Sequence, residues 1–127
     1  MYLSKIKRFI NIFFIFTYYY MNRKIIISKS KRKGKRLKIQ MFDFPGMDDH
    51  FHHAGSSVGK TFIDGVSDKV KSAWIARHSV SKNYDNIHSP IYFSKMLLWN
   101  TDNFSKNIRL LAKELSATII DRTNNNP

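Results

Sequence analysis

Residues 23–40, RKIIISKSKRKGKRLKIQ, carry the choice on which the fold turns. Taken as structure, residues 24–28 and 37–41 are two strands. Both are rich in strand formers, and the second alternates apolar and polar residues as a half-buried strand does. Residues 30–36 then form the basic tip of a β-hairpin, with Gly34 supplying the turn geometry. Taken as composition, the same stretch is basic, hydroxyl-containing and free of acids, which is the general mark of an organelle transit peptide.

The distribution of charge favours the compositional reading. The chain of 127 residues has a formal net charge of +13. Twelve of its basic residues (Lys5, Lys7, Arg8, Arg23, Lys24, Lys29, Lys31, Arg32, Lys33, Lys35, Arg36 and Lys38) precede Asp43, and no Asp or Glu does. From Asp43 onward ten Lys and Arg face all nine acids. A strongly cationic leader is thus joined to a nearly neutral body, a pattern of targeting segments, nucleic-acid arms or membrane-surface segments. Upstream, residues 9–20 (FINIFFIFTYYY) are apolar and aromatic with basic flanks. That run is shorter than the roughly 20 residues a membrane-spanning helix needs. It suits the apolar region of a signal sequence, but Tyr18, Tyr19 and Tyr20 stand where a small-x-small cleavage site belongs. A signal-like run leading into an acid-free basic tract is similar to the two-part leaders of proteins sent to secondary plastids. A mitochondrial presequence fits less well, because the aromatic run lacks a basic helical face. The resemblance covers the first third of the chain and implies an organellar or membrane-associated location.

The length suits one domain. With no cysteine, disulfides, Cys-ligated zinc, iron–sulfur clusters and thiol catalysis are excluded. Residues 43–66 hold Pro45 and four of the five glycines and are expected to be an irregular, Gly- and His-rich junction. Three helices are expected after it. Ser67 caps the first, which runs to about His78 with Asp68 near its N-terminal end; Val70, Ala73, Trp74 and Arg77 share one face. Ser89-Pro90 starts the second, apolar on most sides from Ile91 to Trp99, although a strand is an alternative for so short a run. Asp102 caps the third, in which Phe104, Ile108, Leu111, Leu115 and Ile119 recur at steps of four, three, four and four, with Lys106, Arg109, Lys113 and Glu114 mostly outside the stripe. The stripe is either the core of a small domain or a face for a partner groove. The expected fold is therefore mainly α: a leader over 1–42, a junction over 43–66 and a three-helix domain over 67–127, with a basic hairpin in the leader as an option.

Two constellations bear on chemistry. Ala54-Gly-Ser-Ser-Val-Gly-Lys-Thr61 resembles the phosphate-binding loop of P-loop nucleotide-binding proteins, with Ala54 in place of the usual first glycine. The resemblance implies backbone N–H groups around phosphates at Gly59, Lys60 on the terminal phosphates and Thr61 on magnesium. Thr118-Ile-Ile-Asp121 can pose as the accompanying strand with a metal-binding Asp. Such a loop should succeed a buried apolar strand and open a firm helix. Here Asp48-Asp-His-Phe-His-His53 precedes it, and Gly65 weakens any helix begun at Phe62. Asp49, His50, His52 and His53 form the second constellation; carboxylate and imidazole suit zinc and other transition ions, and His50 and His52 share a face if the segment is extended. Ser56 and Ser57 lie in no nucleophile-turn motif. No turn signal divides residues 108–118 into a helix-turn-helix.

The leading expectation is a non-enzymatic accessory or assembly protein of an organellar or membrane-associated complex, docking on that complex through amphipathic helices and using no cofactor. The alternative is an RNA-associated structural protein, similar in charge design to small ribosomal proteins. Its Lys29, Lys31, Arg32, Lys33, Lys35, Arg36 and Lys38 would lie on phosphates, or on an anionic membrane surface. A P-loop-like nucleotide binder comes third.

Overall fold

A computed structural model describes residues 22–124 of the chain. The apolar run at 9–20 and the basic residues before it lie outside the described residues. In chain order the elements are β1 (Lys24–Lys29), β2 (Lys35–Phe42), β3 (His50–Ser56), a single 3-10 turn (Phe62–Asp64), α1 (Asp68–His78), α2 (Pro90–Leu98), α3 (Phe104–Leu115) and β4 (Thr118–Asp121). The four strands form one mixed sheet in the order β3-β2-β1-β4, with β4 parallel to β1 and the other pairs antiparallel. The fold is therefore mixed α/β and not mainly α.

The stretch at 23–40 is a hairpin. Ile25 pairs with Met41 and Ile27 with Ile39, and all four are essentially inaccessible to solvent. At the tip, Gly34 takes φ +81°, and the Lys35 N–H donates to the Arg32 carbonyl at 3.1 Å. β1 and β2 are the two central strands, and their apolar residues share one core with helix residues Trp74, Phe93, Leu97, Leu98, Leu111 and Leu115. The expected border between a leader ending at 42 and a separate body thus cuts through a single core. Composition misled because a hairpin needs only every second residue to be apolar; the intervening positions and the tip are free to be lysine.

The expected junction at 43–66 is corrected in the same way. Its middle is the edge strand β3, on which Ala54 is the one fully buried residue. An edge strand with one protected side needs no apolar run, so periodicity had little to register. Gly55 lies where this strand meets α2. Its φ is +77°, and a Cβ there would approach Leu98 Cδ1 to 2.6 Å, so both backbone and packing require glycine.

The three helices form near the expected positions. The Ser67 side chain accepts the Val70 N–H at 3.2 Å, and Pro90 opens α2. For α3 the capping side chain belongs to Asn103, which accepts the Lys106 N–H at 2.9 Å, and not to Asp102. The helix stops at Leu115 because Ser116 turns left-handed at φ 49°. The Thr118 N–H then donates to the Arg23 carbonyl at 2.9 Å, and Ile119 pairs with Ile25 on β4. Ile119 therefore belongs to the sheet, although its four-residue step from Leu115 continues the helical pattern.

One polar side chain organises the helical layer. Asn107 of α3 is fully buried. Its Nδ2 donates to the carbonyls of Leu97 (2.9 Å) and Thr101 (3.2 Å), and its Oδ1 accepts from the Thr101 N–H (3.0 Å) and hydroxyl (2.6 Å). This ties the end of α2 and the turn after it to α3, with every polar group of the amide satisfied.

Candidate nucleic-acid interface

Paired residues point to the same side of a sheet. The register therefore puts Ile25, Ile27, Leu37, Ile39, Met41, His50, His52 and Ala54 under the helices. The opposite side carries Lys24, Ile26 and Ser28 on β1, Lys38, Gln40 and Phe42 on β2, and Phe51 and His53 on β3. Phe51 is 57 % exposed. The Lys38 Nζ lies 5.0 Å from the centre of its ring, and the Lys24 Nζ lies 4.9 Å from that of Phe42. This side sets two lysines beside two aromatic rings, among Ile26, Ser28, Gln40 and His53, and it runs into the hairpin tip.

At that tip Lys29, Lys31, Arg32 and Lys33 are exposed, while Lys35, Arg36 and Lys38 are half-buried. Among the described residues Arg36 is the one cation of this group in an ion pair. Its guanidinium donates two bonds to Asp64, at 2.6 and 2.8 Å. The local field is positive. His53, whose Nδ1 lies 2.7 Å from Ser30 Oγ, is pushed below its ordinary pKa first by burial and then by Arg32, Lys38 and Lys35. Exposed Lys60 adds a further cation. With Lys35 it borders two open grooves: one of about 740 Å³ that includes Lys29 and Thr123, the other of about 710 Å³ that includes Arg77, His78 and Asn83. In the second groove the His78 ring stacks on Trp74 at 4.3 Å.

The phosphate-loop residues do not assemble as that motif requires. The strand before them is an antiparallel edge strand, and a 3-10 turn stands in place of the α-helix after them. The Thr61 hydroxyl is buried and committed: it donates to Asp64 Oδ2 at 3.0 Å and accepts from Arg36 at 3.3 Å. Gly59 and Lys60 remain on an exposed turn. Asp64 also accepts the Thr61 N–H at 2.8 Å. Arg36 above all, with help from Thr61, holds this carboxyl well below the usual carboxylate range. A depressed folded-state pKa contributes stability that is present above the unfolded value, about 4, and is lost as pH falls below it. In urea titrations from pH 6 to pH 2 the wild type is therefore expected to lose more stability than Asp64→Asn. Parallel profiles would show that the pair contributes nothing.

The expected metal ligands divide. His50 and His52 lie together under the helices with Nε2 atoms 3.1 Å apart. Burial, then His50 and His88, pushes His52 below its ordinary pKa. His53 faces the other side, and Asp49 accepts the Asp43 N–H at 3.0 Å. Among the described residues no three His, Cys, Asp or Glu side chains are arranged around one metal position. The stripe on α3 goes into the core: Leu111 and Leu115 are buried, and Phe104 and Ile108 pack against them. Among the described residues no helix is long and apolar enough to cross a membrane.

Sequence reasoning missed Lys24, Phe42 and Phe51. The place of Phe51 between His50 and His52 was the one signal for it, and it becomes legible only once that segment is known to be a strand; Lys24 and Phe42 lie at the ends of the two strand patterns, where only the register pairs them. Compared with known proteins, the chain matches no family model, no curated protein and no solved structure.

Proposed function

We propose that the protein binds single-stranded RNA, with a base on Phe51, phosphates on Lys38 and on Lys31, Arg32 and Lys33 of the hairpin tip, and further phosphates on Lys29, Lys35 and Lys60 where the strand passes round the tip to the other side of the sheet. The observation that carries this reading is the continuity of the exposed cations on the hairpin tip with an exposed ring that already has a lysine beside it. Phosphates supply affinity without sequence preference. An exposed aromatic on a sheet stacks unpaired bases, which a duplex keeps hidden. Docking through the α3 stripe has less to offer, since Leu111 and Leu115 are already covered.

The test is fluorescence anisotropy with labelled single-stranded and duplex oligonucleotides over a range of salt. For four to seven phosphate contacts on a single strand, log K should fall against log salt with a slope of about −3 to −5. Single strands should bind more tightly than duplexes. Binding that ignores salt, or no binding to either form, overturns the proposal.

A further inference from the structure

We infer that His50 and His52 form a two-nitrogen chelate for a late first-row transition-metal ion such as Cu2+, Ni2+ or Zn2+. They occupy alternate positions of β3, opposite Met41 and Ile39, so the strand itself holds both imidazoles on one side. Their Nε2 atoms are 3.1 Å apart. With metal–nitrogen bonds of about 2.0–2.1 Å, two adjacent donors lie about 2.9 Å apart at right angles and about 3.4 Å apart at the tetrahedral angle. The observed separation falls between these, so the pair has the bite of a chelate before any ion arrives.

The surroundings orient the rings for this. The His50 Nδ1–H donates to the Asp48 carbonyl at 2.8 Å, which puts the lone pair of that ring on Nε2. A carbonyl behind a ligating histidine commonly sets its tautomer and direction in this way. The His52 ring rests on Phe93 at 5.7 Å, and His88 lies parallel to His50 at 6.2 Å. Without metal, the His52 Nε2–H donates to His50 Nε2. Binding replaces that hydrogen bond: the His52 proton moves to Nδ1, which frees the Nε2 lone pair for the ion and leaves both imidazoles neutral. Two side-chain ligands leave the other coordination positions to water or to an outside donor. Imidazole donors select late transition ions over Mg2+ and Ca2+, which require oxygen ligands. His53 and Asp49 take no part. The pair lies on the helix-covered side of β3, so the inference does not depend on the RNA surface of the opposite side.

The test is competition between the full chain and a chromogenic chelator for Cu2+, Ni2+, Zn2+ and Mg2+. One ion per chain is expected, with Cu2+ held more tightly than Ni2+ and no uptake of Mg2+. His50→Ala and His52→Ala should each weaken Ni2+ binding at least about tenfold, since even the loss of an outer partner commonly costs that much. His53→Ala should leave it unchanged. Equal affinity in His52→Ala and wild type, or an equal loss in His53→Ala, overturns the inference. If either histidine variant fails to fold, electron paramagnetic resonance of the Cu2+-loaded wild type decides. Hyperfine coupling to two imidazole nitrogens supports the chelate, and coupling to fewer than two rejects it.

Discussion

Replacing Lys31, Arg32 and Lys33 together by Gln is expected to weaken single-stranded RNA binding by on the order of ten- to a hundredfold at moderate salt. The slope of log K against log salt should become shallower by about 2, because each lost contact removes about 0.7. All three side chains are exposed, so the melting temperature should stay close to that of the wild type. Arg36→Gln provides the contrast. Its charge is already engaged by Asp64, so its effect on affinity should be small, while the turn at Thr61 should loosen. A triple variant that keeps both the affinity and the salt slope of the wild type would remove the hairpin from the interface.

The largest effect on stability is expected at Asn107. Asn107→Leu keeps the branched shape of the side chain, but it strands the Thr101 N–H, leaves the Thr101 hydroxyl only its contacts with Asn103, and deprives the Leu97 and Thr101 carbonyls of a donor. Buried groups left without partners cost about 1–3 kcal/mol each, and some of these will regain partners by relaxation. A net loss of about 2–4 kcal/mol in urea denaturation is therefore expected. Thr101→Val removes the hydroxyl's bonds to Asn107 and Asn103 but keeps the Thr101 N–H on Asn107, and should cost about 1 kcal/mol. An Asn107→Leu variant as stable as the wild type would mean that the apolar layer alone defines how α2 and α3 meet.

Asn107 also marks the limit of the sequence reading. It lies between Phe104 and Leu111 on the inner side of α3, where an amide in an apolar stripe offers no sign of its partners. Those partners come from the turn after α2, and only the packing of two helices brings them within reach. Phe51 is a similar case. Its exposure depends on the side of β3 it occupies, which is set by the pairing of Gln40 with Phe51 and of Ile39 with His52.

Local chemistry was enough for the features that depend on neighbours in the chain. The Ser67 cap, the Ser89-Pro90 start, the Gly34 turn and the two strand patterns around it are all written within a few residues of where they act. The same holds for the charge of the hairpin tip. Non-local pairing decided the rest. β3 carries too few apolar residues to announce itself and exists because β2 offers it a ladder. β4 shares its spacing with α3, and the left-handed Ser116 and the open edge of β1 make it a strand. The step from a mainly α expectation to a mixed sheet has this cause. A helix satisfies its hydrogen bonds within its own segment and leaves a mark in one stretch of sequence. A strand satisfies them on another segment, and that partner is supplied only by the tertiary fold.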